Sequence, residues 1–186
     1  MTAVFVAGSR QLGRLNEQIR ERLGNVIAGS YQVLVGDANG ADKAVQTFLF
    51  NQRYSNVRVF CSGSECRNNI GAWPTHNVEV PPSATGRAFY TAKDIAMAEN
   101  ADYGLMIWDG KSTGTISNVM ELLKRKKKAL VYFSPKQSFL SVSSLNDLEL
   151  LLYDCVPGDV ETIAKKVGLK SRLREIAQSS QSALHF

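Results

Sequence analysis

The stretch Tyr103–Thr115, YGLMIWDGKSTGT, joins an apolar run to a loop of glycines and hydroxyl side chains. The run up to Trp108 predicts a buried strand, and apolar residues at helical spacing predict a helix over residues 116–125. A helix N-terminus exposes unpaired backbone N–H groups and a partial positive charge, so a Gly/Ser/Thr loop there can hold a phosphate or carboxylate. We therefore expect an anion-binding site at this strand–helix junction.

Outward from this junction, strand-like runs alternate with helical stretches. The predicted strands cover residues 4–7, 32–35, 57–60, 103–108 and 129–133, and helices are predicted over 15–27, 41–50, 89–99 and 116–125. This alternation predicts an α/β fold of three layers, with a mainly parallel sheet of about five strands flanked by helices. The aperiodic segment 62–86 predicts a long functional connection, with room for a short strand at 77–80.

The pattern changes after Pro135, where helices are predicted over residues 145–153, 160–167 and 172–177. We therefore divide the chain into an α/β domain of residues 1–135 and a C-terminal helical extension of residues 136–186. The last two helices superficially resemble a helix-turn-helix, but Leu173 and Ile176 lie about one place from its expected apolar positions. A helical hairpin packed on the sheet or at a subunit interface is the preferred interpretation, with DNA binding as the alternative.

The composition is that of a globular protein, with 186 residues, 44% hydrophobic residues and a net charge of +5. No apolar run approaches the roughly 18 to 20 residues of a membrane span, and the start lacks a signal-peptide layout. These features predict a cytoplasmic protein without membrane contact. The basic run Lys124–Lys128 is expected to end a helix favourably, and a nucleic-acid patch is the alternative, although no aromatics accompany it.

The cysteines are Cys61, Cys66 and Cys155, an odd number without a second close pair. This pattern predicts neither a disulfide framework nor a zinc site. We interpret Cys61 as a buried thiol at a strand end and Cys66 as a loop thiol, and a redox or metal pair is the less preferred alternative. With only two histidines in the chain, we expect no metal and no required cofactor.

Three predicted strands end in similar residues: Gly8-Ser9-Arg10, the loop Gly36–Asp42, and the loop Asp109–Thr115. Because parallel strands deliver their C-terminal ends to one edge of a sheet, these loops should converge. Arg10 offers a planar fork to a phosphate. Asp37 or Asp42 could accept a ribose hydroxyl or stabilise the start of the following helix, and the sequence leaves both roles open.

These three motifs resemble those of the SLOG superfamily, as does the helix-to-strand segment that runs from Lys93-Asp94 to Ala101-Asp102. The resemblance covers about residues 4–133. The likeness is greatest to a branch described as Rossmann-like nucleotide-binding proteins, related to the lonely-guy phosphoribohydrolases and DNA-processing protein A. It implies a Rossmann-like sheet that binds a nucleotide, a phosphosugar or a related ligand, and a homodimer. The residues expected around the ligand are Gly8, Ser9, Arg10, Gly36, Asp37, Gly40, Asp42, Arg87, Asp109, Gly110, Ser112, Gly114, Thr115 and Asn118.

The chain departs from lonely-guy enzymes at Asn118, where those enzymes carry the glutamate that supports cleavage of the base–ribose bond. An amide supplies neither a base nor the charge that stabilises an oxocarbenium-like sugar. Asp109 and Glu121 are the candidate substitutes, although Glu121 is better explained as a partner of Lys124 or Arg125.

The main expectation is therefore ligand binding by a sensor, a carrier or a degenerate enzyme. An N-glycosidic hydrolase or transferase acting on nucleoside monophosphates is one alternative, and a nucleic-acid-binding module is another.

The sequence leaves the roles of three further residues open. Arg87 could reach over a phosphate or be solvated, Lys93 could belong to the site or to an exposed helix face, and Trp73 could stack on a base or cover the sheet edge.

Overall fold

A computed structural model describes the backbone of residues 1–181 and the side chains of residues 1–178. Its strands are β1 (Ala3–Gly8), β2 (Gln32–Gly36), β3 (Val57–Ser62), β4 (Thr75–Val78), β5 (Tyr103–Trp108), β6 (Lys128–Phe133) and β7 (Ser138–Val142). Its helices are α1 (Glu17–Ala28), α2 (Ala41–Asn51), α3 (Gly86–Asn100), α4 (Thr113–Lys124), α5 (Leu145–Tyr153), α6 (Pro157–Val167) and α7 (Leu169–Gln181).

The strands form one sheet in the order β4-β3-β2-β1-β5-β6-β7. Neighbouring strands are parallel except β7, which runs antiparallel to β6. The chain moves outward from β1 to β4 and then returns to place β5 on the other side of β1. The ends of β1 and β5 therefore form a topological switch point, where α/β sheets of this kind open a crevice for ligands.

The predicted Rossmann-like α/β architecture is confirmed, with seven strands instead of about five. The short strand expected at 77–80 is β4, which begins two residues earlier. The sequence pattern did not predict β7. This strand lies at the sheet edge and is mostly half-buried, and Ser138 and Ser141 break up its apolar residues, which weakens the strand signal.

The sheet is buried on both faces, which explains the nearly continuous apolar runs in its central strands. Phe5 and Val6 are adjacent in β1 and both are fully buried, yet they belong to two separate core clusters. One cluster includes residues of α3 and α4, and the other includes residues of α1 and α2. Helices therefore cover both faces, and the fold has three layers.

The C-terminal hairpin of α6 and α7 packs against α4. Ile163, Val167 and Ile176 are buried in the same cluster as the core-facing side chains of α4. Between the two helices, Gly168 adopts a left-handed conformation (φ 63°) that ends α6. The hairpin therefore completes the core on that face. Residues 182–186 of the predicted extension lie outside the described residues, and no helix within residues 1–181 is long and apolar enough to cross a membrane.

Cys61 and Cys66 are joined in a disulfide, with their Cα atoms 5.2 Å apart. The expectation of two separate thiols is therefore wrong. Cys61 is buried near the end of β3, and the chain then turns through Gly63 (φ 81°), which brings Cys66 back over the strand end. The short separation was visible in the sequence, but the pairing depends on this turn. Cys155 is a free thiol.

Candidate ligand-binding cleft

A cleft of about 780 Å³ opens at the C-terminal edge of the sheet, over the ends of β1 and β5. Its size falls within the roughly 300–1,000 Å³ typical of small-molecule sites. The loops after β1, β2 and β5 line it together with Arg67 and parts of α2, α3, α4 and α6. Of the expected ligand-binding residues, the cleft is lined by Gly8, Ser9, Arg10, Asp42, Arg87, Asp109, Ser112, Gly114, Thr115 and Asn118. Four others do not line it: Gly36, Asp37, Gly40 and Gly110.

Asp109 connects the loop after β1 with the loop after β5 at the switch point. Its Oδ2 accepts a hydrogen bond from the buried Ser9 hydroxyl at 2.6 Å, and the Ser9 Oγ in turn accepts from the Gln11 backbone N–H at 3.1 Å. Its Oδ1 accepts from the backbone N–H groups of Lys111 at 3.0 Å and Ser112 at 2.7 Å. Both oxygens of Asp109 therefore hold the loops in shape, which gives this carboxylate a structural role rather than that of a free base.

The start of α4 faces the cleft with open space above it. Ser112 is the N-cap residue, and its Oγ accepts from the Thr115 hydroxyl at 3.2 Å. The buried Trp108 holds the Ser112 carbonyl from below through an Nε1–H···O bond of 3.0 Å. A Cβ added at Gly114 would have the Ser112 Oγ, 4.0 Å away, as its nearest neighbour. Because the first N–H groups of a helix have no acceptor within the helix, this start can receive an anion.

The glycines at the end of β1 and after β2 lie in crowded surroundings instead. A Cβ at Gly8 would collide with the backbone carbonyl of Ile107 in the neighbouring strand β5. Gly40 has a φ of 80°, and a Cβ there would collide with the backbone of Arg10. These two glycines therefore allow the chain to approach itself closely, which explains their presence without a ligand.

Gly36 makes room for a buried charge network. A Cβ at Gly36 would collide with Asp42 Oδ2 and with the Nζ of Lys93, which reaches the sheet edge from α3. Lys93 is only 3% exposed. Its Nζ lies 3.1 Å from Asp94 Oδ1, 3.7 Å from Asp42 Oδ2 and 3.8 Å from Asp37 Oδ1. Burial would lower the pKa of Lys93, but the three carboxylates outweigh it and hold the pKa above its usual value, so the ammonium stays charged.

The two carboxylates after β2 differ in their availability. Burial raises the pKa of Asp42 to about 6, against the opposing charge of Lys93 and a hydrogen bond from the Ala38 N–H. Burial would also raise the pKa of Asp37, but hydrogen bonds from Arg67 outweigh it and lower that pKa. Arg67 binds both Asp37 oxygens, with Nη2 at 2.7 Å from Oδ1 and Nε at 3.0 Å from Oδ2. Asp42 lines the cleft, whereas Asp37 positions Arg67.

Several cleft residues were not identified from the sequence. They include Arg67, Tyr90, Thr162 and Lys166. The Nη1 of Arg87 donates to the backbone carbonyl of Lys166 at 3.0 Å and so links the start of α3 to the end of α6. No local pattern indicates such partners because they lie far apart in the chain. For Arg67, the one available signal is an arginine beside a cysteine in a long polar connection.

The remaining candidates from the sequence lie outside the cleft. Glu121 forms ion pairs with Arg125 and Arg172, so the predicted pairing with Arg125 is present. Trp73 is largely buried, and its Nε1 donates to the Tyr54 carbonyl at 3.0 Å. It therefore covers the core at some distance from the loops of the site. Within residues 1–181, no cluster of three or more His, Cys, Asp or Glu side chains could hold a metal ion.

The basic run after α4 is largely engaged by the chain itself. Lys124 pairs with Glu175, and Arg125 pairs with Glu99 as well as with Glu121. The Nζ of Lys127 donates to the backbone carbonyls of Ala98 and Glu99 at 2.9 Å and 2.7 Å. These contacts fasten the end of α4 to the end of α3, as the helix-end interpretation requires.

Positive charge predominates in the cleft. Its cationic side chains are Arg10, Arg67, Arg87, Lys93, Lys111 and Lys166, against the three carboxylates Asp42, Asp94 and Asp109. Such a lining attracts anions, and the open helix start provides directed N–H donors for one.

The chain matches no protein-family model, and it matches neither a curated protein nor a solved structure. Its likeness to SLOG proteins therefore stays a prediction that rests on the sequence motifs.

Proposed function

We propose that this protein binds a nucleotide or a nucleotide-derived ligand in the cleft, with a phosphate at the start of α4. The observation that carries the proposal is the open volume at Gly114, where a helix N-terminus faces a cleft with excess positive charge. Arg10 and Lys111 line the same cleft and supply further charge for the phosphate.

The sugar of the ligand is assigned to the side of the cleft formed by Asp42 and Asp94. Both carboxylates line the cleft, and Lys93 holds one oxygen of each. Carboxylate oxygens are good acceptors for the hydroxyl groups of a ribose. Asp37 is not assigned this contact because Arg67 already occupies both of its oxygens.

The proposal is for binding and not for cleavage of the base–ribose bond. Asp109 and Glu121 were the candidate catalytic carboxylates, and both are committed to other partners. Asn118, which lines the cleft, supplies no negative charge. A homodimer, as the SLOG likeness implies, belongs to the same proposal and is tested by light scattering of the purified protein. The cytoplasmic location expected from the sequence stays part of the proposal.

Isothermal titration with paired probes tests the requirement for phosphate. We expect AMP and ribose 5-phosphate to bind at least tenfold more tightly than adenosine and ribose, respectively. The proposal is abandoned if neither phosphorylated probe binds at millimolar concentration, or if the phosphate makes no difference.

A pair of glycine variants tests the position of the phosphate. Gly114 and Gly158 are both the second residue of a helix, and an added Cβ has open space at either one. Gly114→Ala should weaken the binding of ribose 5-phosphate at least tenfold, because the methyl group occupies the phosphate position. Gly158→Ala should bind like the native protein. Equal binding by the two variants would contradict a phosphate at α4.

A further inference from the structure

The stacked pair of Arg67 and Tyr90 is a feature of the cleft that the phosphate site does not use. The Cζ of Arg67 lies 4.4 Å from the centroid of the Tyr90 ring. Both residues line the cleft, and both are partly open to it, with 39% of Tyr90 and 37% of the Arg67 side chain exposed. The pair therefore presents planar surface within the site.

Arg67 is held firmly in this position. Its backbone N–H and its Nε both donate to Asp37 Oδ2 at 3.0 Å, and its Nη2 donates to Oδ1 at 2.7 Å. The preceding residue, Cys66, is tied to β3 through the disulfide with Cys61. A guanidinium fixed by both its backbone and its fork loses little freedom when a ligand stacks on it, so stacking there is pre-organised.

The hydrogen bonds to Asp37 also decide what Arg67 can recognise. Because the Nε and Nη2 edge of the fork is directed at Asp37, less of its donor capacity remains for a ligand phosphate. One face of the guanidinium is covered by Tyr90, and the opposite face remains for a ligand. Guanidinium planes and aromatic rings are the surfaces on which proteins stack nucleobases.

We propose that the Arg67–Tyr90 pair is the subsite for the planar heteroaromatic base of the ligand. This inference rests on the proposed function, because it adds a base to a ligand whose phosphate lies at α4. It commits the cleft to a nucleotide rather than a phosphosugar. The sequence suggested Trp73 as a residue that could stack on a base, but Trp73 is buried outside the cleft, and we assign this role to Tyr90 instead.

The test compares ligands that differ only in the base. Dissociation constants are measured by isothermal titration for AMP, GMP, CMP, UMP and ribose 5-phosphate. We expect at least one nucleotide to bind about tenfold more tightly than ribose 5-phosphate, since stacking of a base on an aromatic side chain contributes about that much.

Variants then locate the effect. Tyr90→Leu should weaken binding of the preferred nucleotide about tenfold and change the ribose 5-phosphate constant less than twofold. Arg67→Lys, which keeps the charge and removes the plane, should show the same selective loss. Tyr153→Leu is the control, because Tyr153 is exposed and lies outside the cleft lining. A circular dichroism spectrum and an unfolding curve confirm that each variant is folded.

Each outcome separates this inference from the proposed function. If ribose 5-phosphate binds as tightly as all four nucleotides, or if Tyr90→Leu and Arg67→Lys weaken every probe equally, the base subsite is wrong and the phosphate site stands. If no phosphorylated probe binds, the proposed function fails and the inference fails with it.

Discussion

The two loops that flank β1 at the sheet edge contain similar residues and use them differently. We call the loop Gly36–Asp42 together with Lys93 the β2 side. There the space beside Gly36 is filled by Asp42 and Lys93. We call the loop Asp109–Thr115 the β5 side, and there the space beside Gly114 is open. A glycine–aspartate loop after a buried strand therefore does not identify a ligand site by itself. The β2 side mainly stabilises the protein and offers a ligand the Asp42 carboxylate, whereas the β5 side leaves its helix start open.

The largest effect on stability is expected from removing the charge at the centre of the β2 side. Lys93→Met leaves three carboxylates near the cleft floor without their shared cation, at a cost of about 4 kcal/mol in the free energy of unfolding. Urea unfolding at pH 7 measures this cost. Lys43→Met is the matched control, because Lys43 lies exposed on α2 and should change stability by less than about 0.5 kcal/mol. Equal costs for the two variants would contradict a structural role for the network.

Replacing a glycine by alanine should have opposite effects on stability in the two sides. Gly40→Ala places a Cβ against the Arg10 backbone at a φ of 80° and should cost about 3 kcal/mol of stability. Gly114→Ala should instead gain about 0.5 kcal/mol, because alanine favours the helix and its methyl group meets open space. Denaturant unfolding of both variants without ligand measures the difference. A destabilised Gly114→Ala would show that the start of α4 is also closed.

A smaller loss is expected when the disulfide is broken. Cys66→Ser removes a cross-link over a short loop, which costs about 2 kcal/mol, and frees the segment that positions Arg67. Cys155→Ser keeps the cross-link and serves as the control. Thiol titration of the unfolded, unreduced protein should find one free thiol in each chain, and three would contradict the pairing.

The smallest effect is a pH dependence that originates at Asp42. Its pKa is about 6 in the folded protein, above its ordinary value of 3.8. The native state therefore binds this proton more tightly, and the stability gained from it is greatest at low pH and is lost as the pH rises through about 6. Between pH 7 and pH 5 the native protein should gain about 1 kcal/mol relative to Asp42→Asn. Urea unfolding at both pH values tests this, and identical pH profiles would contradict the raised pKa.

Much of the fold follows from local patterns in the sequence. Buried strands alternate with amphipathic helices from Ala3 to Phe133, and this order specifies a parallel sheet whose strand ends meet at one edge. The convergence of Ser9 with Asp109 could therefore be predicted from the chain. The edge strand β7 could not, because most of its residues are only half-buried and serines interrupt its apolar pattern.

The finer structure of the cleft depends on tertiary contacts that no local pattern encodes. Asp37 and Arg67 are thirty residues apart, and α6 reaches the cleft from a segment that the sequence places in a separate extension. Whether a glycine is required for packing depends on the atoms beside its Cα. The sequence alone therefore does not distinguish Gly36, which has crowded surroundings, from Gly114, which has open space. Motifs therefore indicated the sheet edge at which the cleft opens but did not separate residues that pack against the chain from those that face the cleft.

The most direct test of the difference between the two sides is a ¹H–¹⁵N NMR titration with ribose 5-phosphate. This probe carries the phosphate and the ribose without a base, so it reports on the phosphate and sugar positions without any effect of base stacking. We predict that the largest amide shift changes occur at Thr113, Gly114 and Thr115, at the start of α4, with smaller changes at Gly36 and Gly40. Largest changes at Gly36 and Gly40, or no change at α4, would contradict the assignment of the β5 side as the anion site.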